Sequence, residues 1–321
     1  MIRRYDFAPL DGITKVVFRQ VYHRLFGGAD RYFIPFFSPT DQHILTKRDQ
    51  RELDPAANAG LHVVPQVMTR RAPDFLWAAE VVADMGYTEV NLNLGCPSGT
   101  VTAKGKGSGF LARPEELERF FDEVFASVKL PVSVKTRLGV KEPEEFERLL
   151  DIYNRYPIAC LTIHPRIQKQ FYKGTVHRDW FAWAAERSRN PLGYNGDLVT
   201  VEDCGAFAAD FPAVDAVMIG RGAIADPALL RKLHGGTPAT RQEIQDFTRT
   251  LYQSYQDFYG QAGPAAQRMK EVWFFLIHLF EGGERHHKKM RRLRTPAEYE
   301  AVEAAIFREL PLRDHAEGAF G

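Results

Sequence analysis

Segment 91–98, NLNLGCPS, ends an apolar run on a cysteine fenced by a glycine and a proline. Cys96 has two readings there, an inert core residue or a thiol presented for chemistry. A free thiol titrates near ~8.5, so a presented Cys96 is protonated at neutral pH and could give a proton and be recharged by solvent. In segment 132–138, VSVKTRL, polar and apolar residues alternate and place Lys135 on one strand face. An unpaired ammonium there is costly, so it needs an acceptor such as a cofactor oxygen. His164, taken alone, reads as a satisfied strand-end histidine. Segments 194–197 (YNGD) and 218–223 (MIGRGA) carry glycine where backbone approaches a ligand, or as ordinary turn glycines. Segment 105–109, GKGSG, lacks the spacing of a nucleotide phosphate loop and reads as a flexible loop near a site mouth.

The elements that must position these groups follow from periodicity. Short β-type runs are expected at Tyr5–Ala8, Tyr32–Phe36, His62–Gln66, Glu89–Leu94, Val132–Thr136, Cys160–His164, Leu192–Asn195 and Ala216–Ile219. Helical patterns lie between them, as in 75–85 and 114–125, the latter opening on proline with acidic residues behind it. Eight strand–helix repeats predict a (β/α)8 TIM barrel, with an open doubly wound sheet as the alternative. That sheet would place a glycine-rich turn after its first strand, where this chain has APLDGIT at 8–14. In a barrel the C-terminal strand ends carry the chemistry. Gln66, Asn93, Cys96, Lys135, Arg137, His164, Arg166, Asn195 and the 220–222 turn all fall at or near such ends. After the Gly/Pro-containing connection HGGTPA at 234–239 only helical periodicity continues, so a barrel domain over 1–237 and a smaller all-α domain over 238–321 are expected.

Composition narrows the class. The apolar fraction of 45% suffices for a core, and a net charge of +1 names no partner. No apolar run approaches the ~18 residues of a membrane span, and Asp6 and Asp11 interrupt any signal-like N-terminus. The 3 cysteines lie far apart without a CxxC pair, which argues against a disulfide framework or a metal site and for a reducing cytoplasm.

With NLNLGCPS, VSVKTRLG at 132–139, IHPR at 163–166, FYKG at 171–174, YNGD and MIGRGA in this order, the chain resembles the tRNA-dihydrouridine synthase family along its whole length. The resemblance implies an FMN-binding TIM barrel joined to a C-terminal helical tRNA-binding domain, acting as an NADPH-driven monomer on uridine in tRNA. It implies that Cys96 delivers a proton to uracil C5 while reduced FMN delivers hydride to C6. Asn93, Arg137 and Tyr172 would hold the flipped uracil. Pro9, Gln66, Lys135 and His164 would contact the isoalloxazine and ribityl chain, and Asn195, Gly196, Gly220 and Arg221 the phosphate. The chain departs from the family's pattern at Leu10, an apolar swap, and at Pro165, which removes a backbone donor and restricts His164.

The segment 284–294, ERHHKKMRRLR, gathers six Lys/Arg against one Glu. Such a run is either a solvated helix face or a phosphate footprint, and Lys288, Lys289, Arg291 and Arg292 are the candidate RNA contacts. Segment 268–271, RMKE, is a second candidate surface at the start of the preceding helix. Two other functions compete: a flavin barrel acting on a free pyrimidine, in the manner of a dihydroorotate or dihydropyrimidine dehydrogenase, and an RNA-binding protein without catalysis. The first leaves the basic run unexplained, and intact Cys96, Asn93, Lys135 and Arg137 argue against the second.

Overall fold

The alternation in segment 132–138 is the rule by which the sheet is built. Val132, Val134 and Leu138 are buried in the core shared with the surrounding helices, and the intervening Ser133, Lys135 and Arg137 turn to the opposite face. In this computed structural model, which describes residues 2–318, nine parallel strands obey it. They are β1 (Arg4–Phe7), β2 (Arg31–Phe33), β3 (Val63–Val64), β4 (Gln66–Val67), β5 (Val90–Leu94), β6 (Val132–Gly139), β7 (Leu161–Ile167), β8 (Leu192–Tyr194) and β9 (Ala216–Ile219). Residue 1 and residues 319–321, the outer ends of the two expected domains, lie outside the described residues.

The sheet order is β3-β2-β1-β9-β8-β7-β6-β5-β4. Its two edge strands, β3 and β4, are consecutive in the chain and flank Pro65. The expected third strand, His62–Gln66, is thus two short pieces, because proline has no N–H for the ladder. Counted as one stave, they close an eight-stave barrel, and the open-sheet alternative falls. β7 runs past Pro165 to Ile167. Arg137 pairs with His164 but Gly139 pairs with Ile167, so the strand carries one extra residue there. A bulge is where a sheet interior accepts proline, and His164 keeps its lumen face.

The outer helices form for ordinary reasons. Pro114–Ser127 starts on proline, has Glu115 and Glu116 in its first turn, and buries Leu117, Phe120, Phe121 and Val124 on one stripe. After the barrel come helices Arg241–Tyr259, Ala262–Leu276, Glu284–Arg292 and Pro296–Glu309. Thr240 opens this region with a capping box to Glu243. Arg231, from the last barrel helix, donates to Glu243 at 2.7 Å, and that bond holds the Glu243 carboxyl at about 2. The region shares the barrel's hydrophobic core: the Phe247 ring packs 5.9 Å from Phe18 and 5.4 Å from Phe26. Arg268 falls inside Ala262–Leu276 and not at its start, bonded back to Gly12 and Tyr259. Among the described residues no helix is long and apolar enough to cross a membrane.

Candidate active site

The C-terminal strand ends open into one cavity of about 540 Å³. Every barrel residue expected from sequence to meet substrate or cofactor lines it. Pro9 follows β1, Gln66 begins β4, Asn93 lies on β5 with Cys96 just past it, and Lys135 and Arg137 stand on β6. His164 comes from β7 and Tyr172 from the loop behind it, Asn195 and Gly196 follow β8, and Gly220 and Arg221 follow β9. Period-two alternation brings Asn93, Lys135, Arg137 and His164 to the lumen while their neighbours pack outward.

The Cys96 turn is held from both sides. Asn93 Oδ1 accepts the N–H groups of Gly95 at 3.0 Å and Cys96 at 2.9 Å. The Cys96 carbonyl accepts from the Ser108 amide at 3.0 Å and the Ser108 hydroxyl at 2.9 Å. Segment 105–109 is therefore no flexible loop; it runs into a packed 3-10 turn, Gly107–Ala112, with Gly107 and Ser108 buried. A Cβ on Gly107, whose φ is +56°, would stand 2.8 Å from the Cys96 carbonyl, so only glycine brings this backbone under the turn. Lys104, beside it, is exposed, and Lys106 is half-buried. Cys96 itself is half-buried, and burial pushes its thiol up, so it is protonated at neutral pH.

The cavity is strongly cationic. Burial, then the charge of Arg137, lowers Lys135 to about 7, and among the described residues no carboxylate ion-pairs with it. Arg137 falls to about 10, chiefly through burial, and donates to the Gly95 and Ile167 carbonyls at 2.8 and 3.1 Å. Tyr172 lies between two guanidiniums, Arg137 at 5.4 Å and Arg221 at 5.0 Å from its ring. Burial and surrounding cations hold His164 well below its ordinary pKa, so it is neutral. Arg166 Nη1 lies 3.1 Å from His164 Nε2. A guanidinium only donates, so Nε2 accepts and the ring proton sits on Nδ1.

Sequence reading left Asp197 and the far wall unassigned. Asp197, at a left-handed φ of +46°, accepts from Arg166 Nη1 at 2.9 Å and Arg221 Nη2 at 2.8 Å, fixing the buried Arg166 guanidinium and that of Arg221, which lines the cavity. Asp197 lay inside the YNGD segment, but a strand-end aspartate gives no hint of which cations it will hold. Phe274 and Phe275 of the helical region complete the wall, along with Phe171, which is 47% exposed beside Tyr172 at 49%. Nothing in a helical periodicity says which barrel face it will meet.

Two features fit a phosphorylated, electron-rich ligand. One is Lys135, half-buried in the lumen and without a carboxylate partner among the described residues. The other is the glycine cradle after β8 and β9. A Cβ on Gly220 would meet Leu10 and Ala8 side chains at 3.1 and 3.3 Å, and one on Gly222 would strike the Leu198 carbonyl at 2.7 Å. These glycines let the turn after β9 pack against the turns after β1 and β8, and the short helix Arg221–Ala225 begins there, at the position where barrels bind phosphate.

The four basic residues expected to meet RNA lie outside the cavity on the helix Glu284–Arg292. Lys288, Lys289, Arg291 and Arg292 are all exposed, and among the described residues none forms an ion pair, while His286 and Met290 anchor the other face. The helix reaches the cavity wall through His287, whose ring packs 5.2 Å from Phe274.

Fold and site define a (β/α)8 barrel with a cationic ligand cavity at its C-terminal face. The chain belongs to the dihydrouridine synthase (Dus) family, whose model matches residues 6–310. It is 34% identical over 232 residues to a Synechocystis protein named "Probable tRNA-dihydrouridine synthase 1", covering 70% of this chain and 63% of that protein's length. It is 32% identical to the tRNA-dihydrouridine(16) synthase of Ralstonia nicotianae, covering 72% of this chain and 73% of that one. Among solved structures, morphinone reductase superposes with a TM-score of 0.51 at 15% identity, over 73% of this chain and 86% of that chain, a likeness of fold.

Proposed function

We propose that this protein reduces uridine in tRNA to 5,6-dihydrouridine, with FMN bound in the cavity and NADPH as reductant. The observation that carries the reading is Cys96, a protonated thiol clamped at the rim of a cavity whose floor holds a cation without a counter-ion. Family membership and the names of its relatives support the substrate.

Saturating the uracil 5,6-bond needs hydride at one carbon and a proton at the other. The chemistry a reduced flavin supplies when bound is the hydride, which no side chain can give. Cys96 gives the proton, to C5. Its raised pKa keeps that proton available, and the rim position lets solvent restore it. Asn93 and Arg137 hold the uracil edge, and Tyr172, fixed between two guanidiniums, covers it. Lys135, Gln66 and His164, with Pro9, hold the flavin ring and ribityl chain. Lys135 suits an electron-rich partner because an anionic oxygen beside it restores its charge. Asn195, Gly196, Gly220 and Arg221 hold the phosphate.

The uridine must leave its stack to reach the cavity, which costs a few kcal/mol. Contacts distant from the base offset that cost. The exposed cations of Glu284–Arg292 supply them along the tRNA backbone, which divides the chain into a catalytic barrel, 1–237, and a tRNA-binding helical domain, 238–321. A free pyrimidine would have no use for that helix. Mapping dihydrouridine in tRNA from cells with and without the protein tests the reading. Loss at a defined position is expected, and unchanged dihydrouridine in every tRNA would overturn it. Purified protein should be yellow, absorbing near ~450 nm.

A further inference from the structure

Below the cavity a single file of hydrogen bonds crosses the lumen. The Gly95 and Cys96 amides donate to Asn93 Oδ1, and Asn93 Nδ2 donates to Gln66 Oε1 at 2.8 Å. Gln66 Nε2 donates to Asn91 Oδ1 at 2.8 Å, and Asn91 Nδ2 to Ser133 Oγ at 2.9 Å. Ser133 Oγ lies 2.5 Å from Glu89 Oε1. The other Glu89 oxygen accepts from Arg31 Nη1 at 2.6 Å, and Asp6 grips Arg31 through bonds of 3.0 and 2.8 Å. Glu89, just before β5, and Asn91 and Asn93 on it recur every second residue, so the file climbs one face for roughly 13 Å at ~3.3 Å per residue.

Both ends of the file have a fixed sense. A backbone N–H only donates and a carboxylate only accepts. Between them stand three carboxamides and one hydroxyl, each able to face either way in isolation. Only one arrangement satisfies every member, and the buried Asn91 and Ser133, below the cavity, have no water to fall back on. Each carboxamide must then point its oxygen toward the Cys96 end and its nitrogen toward Glu89. Asn93 and Gln66 each keep one N–H that no described residue takes, and both line the cavity.

We propose that Glu89, at the far mouth of the barrel, is a positioning residue for this site. It sets the polarity of the relay, and so keeps the Asn93 carbonyl on the Cys96 turn and presents Gln66 and Asn93 to the cavity as donors. Resting on the assignment of the cavity as the reaction site, this adds a ligand rule: the part of the bound ring above these amides offers acceptors, a carbonyl or an unprotonated ring nitrogen.

Glu89→Gln separates polarity from simple anchoring. Arg31 only donates, so the carbonyl of the substituted carboxamide turns to Arg31 and its NH₂ to Ser133. Ser133 then accepts, and on this proposal its proton turns to Asn91 instead of standing idle, so the inversion runs upward until an Asn93 NH₂ meets two backbone N–H groups. Ser133→Ala cuts the file, so the double variant cannot transmit the inversion. The test is amide hydrogen exchange at Gly95 and Cys96 in the full chain, without added ligand, with melting temperatures measured alongside. Glu89→Gln should exchange roughly 2- to 10-fold faster, the worth of one hydrogen bond. Ser133→Ala and the double variant should exchange like the parent protein. A Glu89→Gln protein that fails to fold while the double variant folds is the same rescue in stronger form. Parent-like exchange in Glu89→Gln, fast exchange in Ser133→Ala or the double variant, or failure of both Glu89 variants to fold overturns the proposal. Exchange is read without tRNA, so unchanged dihydrouridine in cells would sink the functional reading and leave this result standing.

Discussion

The barrel lumen has two unlike halves. On β1, β2, β3 and β9 the inward positions above Asp6 and Arg31 are Ala8, Phe33, Val64 and Met218, a small apolar cluster separate from the main core. On β4 to β7 they are the buried Gln66, Asn91, Asn93, Ser133, Arg137, Thr162, His164 and Arg166 and the half-buried Lys135. The apolar half is filled by volume, so its members are exchangeable against others of similar shape. The polar half is filled by matched donors and acceptors, where an exchange leaves a partner stranded. A ligand above the lumen meets a smooth wall on one side and a set of oriented charges and N–H groups on the other. On the proposed function the chemistry belongs on the second side, where Cys96 stands.

The largest expected effect breaks the polar half at its reacting atom. Cys96→Ala should lower single-turnover reduction of tRNA by ~10²- to 10⁴-fold, the range for a lost general acid, while flavin absorbance and tRNA affinity stay as they were. Near-parent turnover would return Cys96 to the role of core filler. The apolar half should answer in stability and not in chemistry. Phe33→Ala removes a buried ring that also carries the Arg31 guanidinium 5.0 Å from its centroid, and should cost ~3–5 kcal/mol in denaturant unfolding. Met218→Leu keeps volume and should cost less than ~1.5 kcal/mol, with turnover unchanged. A Met218→Leu protein as crippled as Cys96→Ala would show that the two halves are not distinct in kind.

The cavity's cations differ in the same way from those of Glu284–Arg292. Buried ones act at close range; exposed ones act at a distance and are screened. Changing Lys288, Lys289, Arg291 and Arg292 together to Ala should weaken tRNA binding at low salt. It should also flatten the slope of log affinity on log salt by ~0.7–0.9 for each phosphate no longer neutralised. Turnover at saturating tRNA should hold. An unaltered slope would return the helix to a merely solvated face.

The polar half was readable in the sequence and the apolar half was not, for a physical reason. A polar residue inside a strand is costly, so Lys135 or Asn93 among valines and leucines announces a partner. Ala8 or Met218 among apolar residues announces nothing, since lumen and outer core use the same side chains. The eight staves were legible from alternation, but Pro65 cut one into β3 and β4 without changing their course. The GKGSG segment misled because glycines that permit disorder also permit tight coiling. At Gly107 it is the Cys96 carbonyl, distant in sequence by 11 residues, that demands the coil. Asp197 and the Phe274 wall went unassigned because their partners come from other elements, and a single chain segment carries no record of them.

The smallest effect, and the finest probe of the polar half, lies in the pH dependence of stability without ligand. Lys135 titrates at about 7 in the fold, lowered mainly by burial, against ~10.4 in an unfolded chain. Below pH 7 both states carry the proton, and the folded state bears the full penalty of holding the charge away from water. Between about 7 and ~10.4 the unfolded chain binds more protons than the folded one, so stability rises with pH across that window. Lys135→Met lacks this contribution. The difference in melting temperature between Lys135→Met and the parent should therefore be greatest below pH 7 and shrink as pH climbs toward 10, by about 2–4 °C per kcal/mol. Occupying the cavity with an anionic ligand should abolish the difference by restoring a partner to the ammonium. A parent protein whose melting difference from Lys135→Met is flat from pH 6 to 10 would mean that Lys135 already has its counter-charge, and the cationic floor would lose its claim on a ligand.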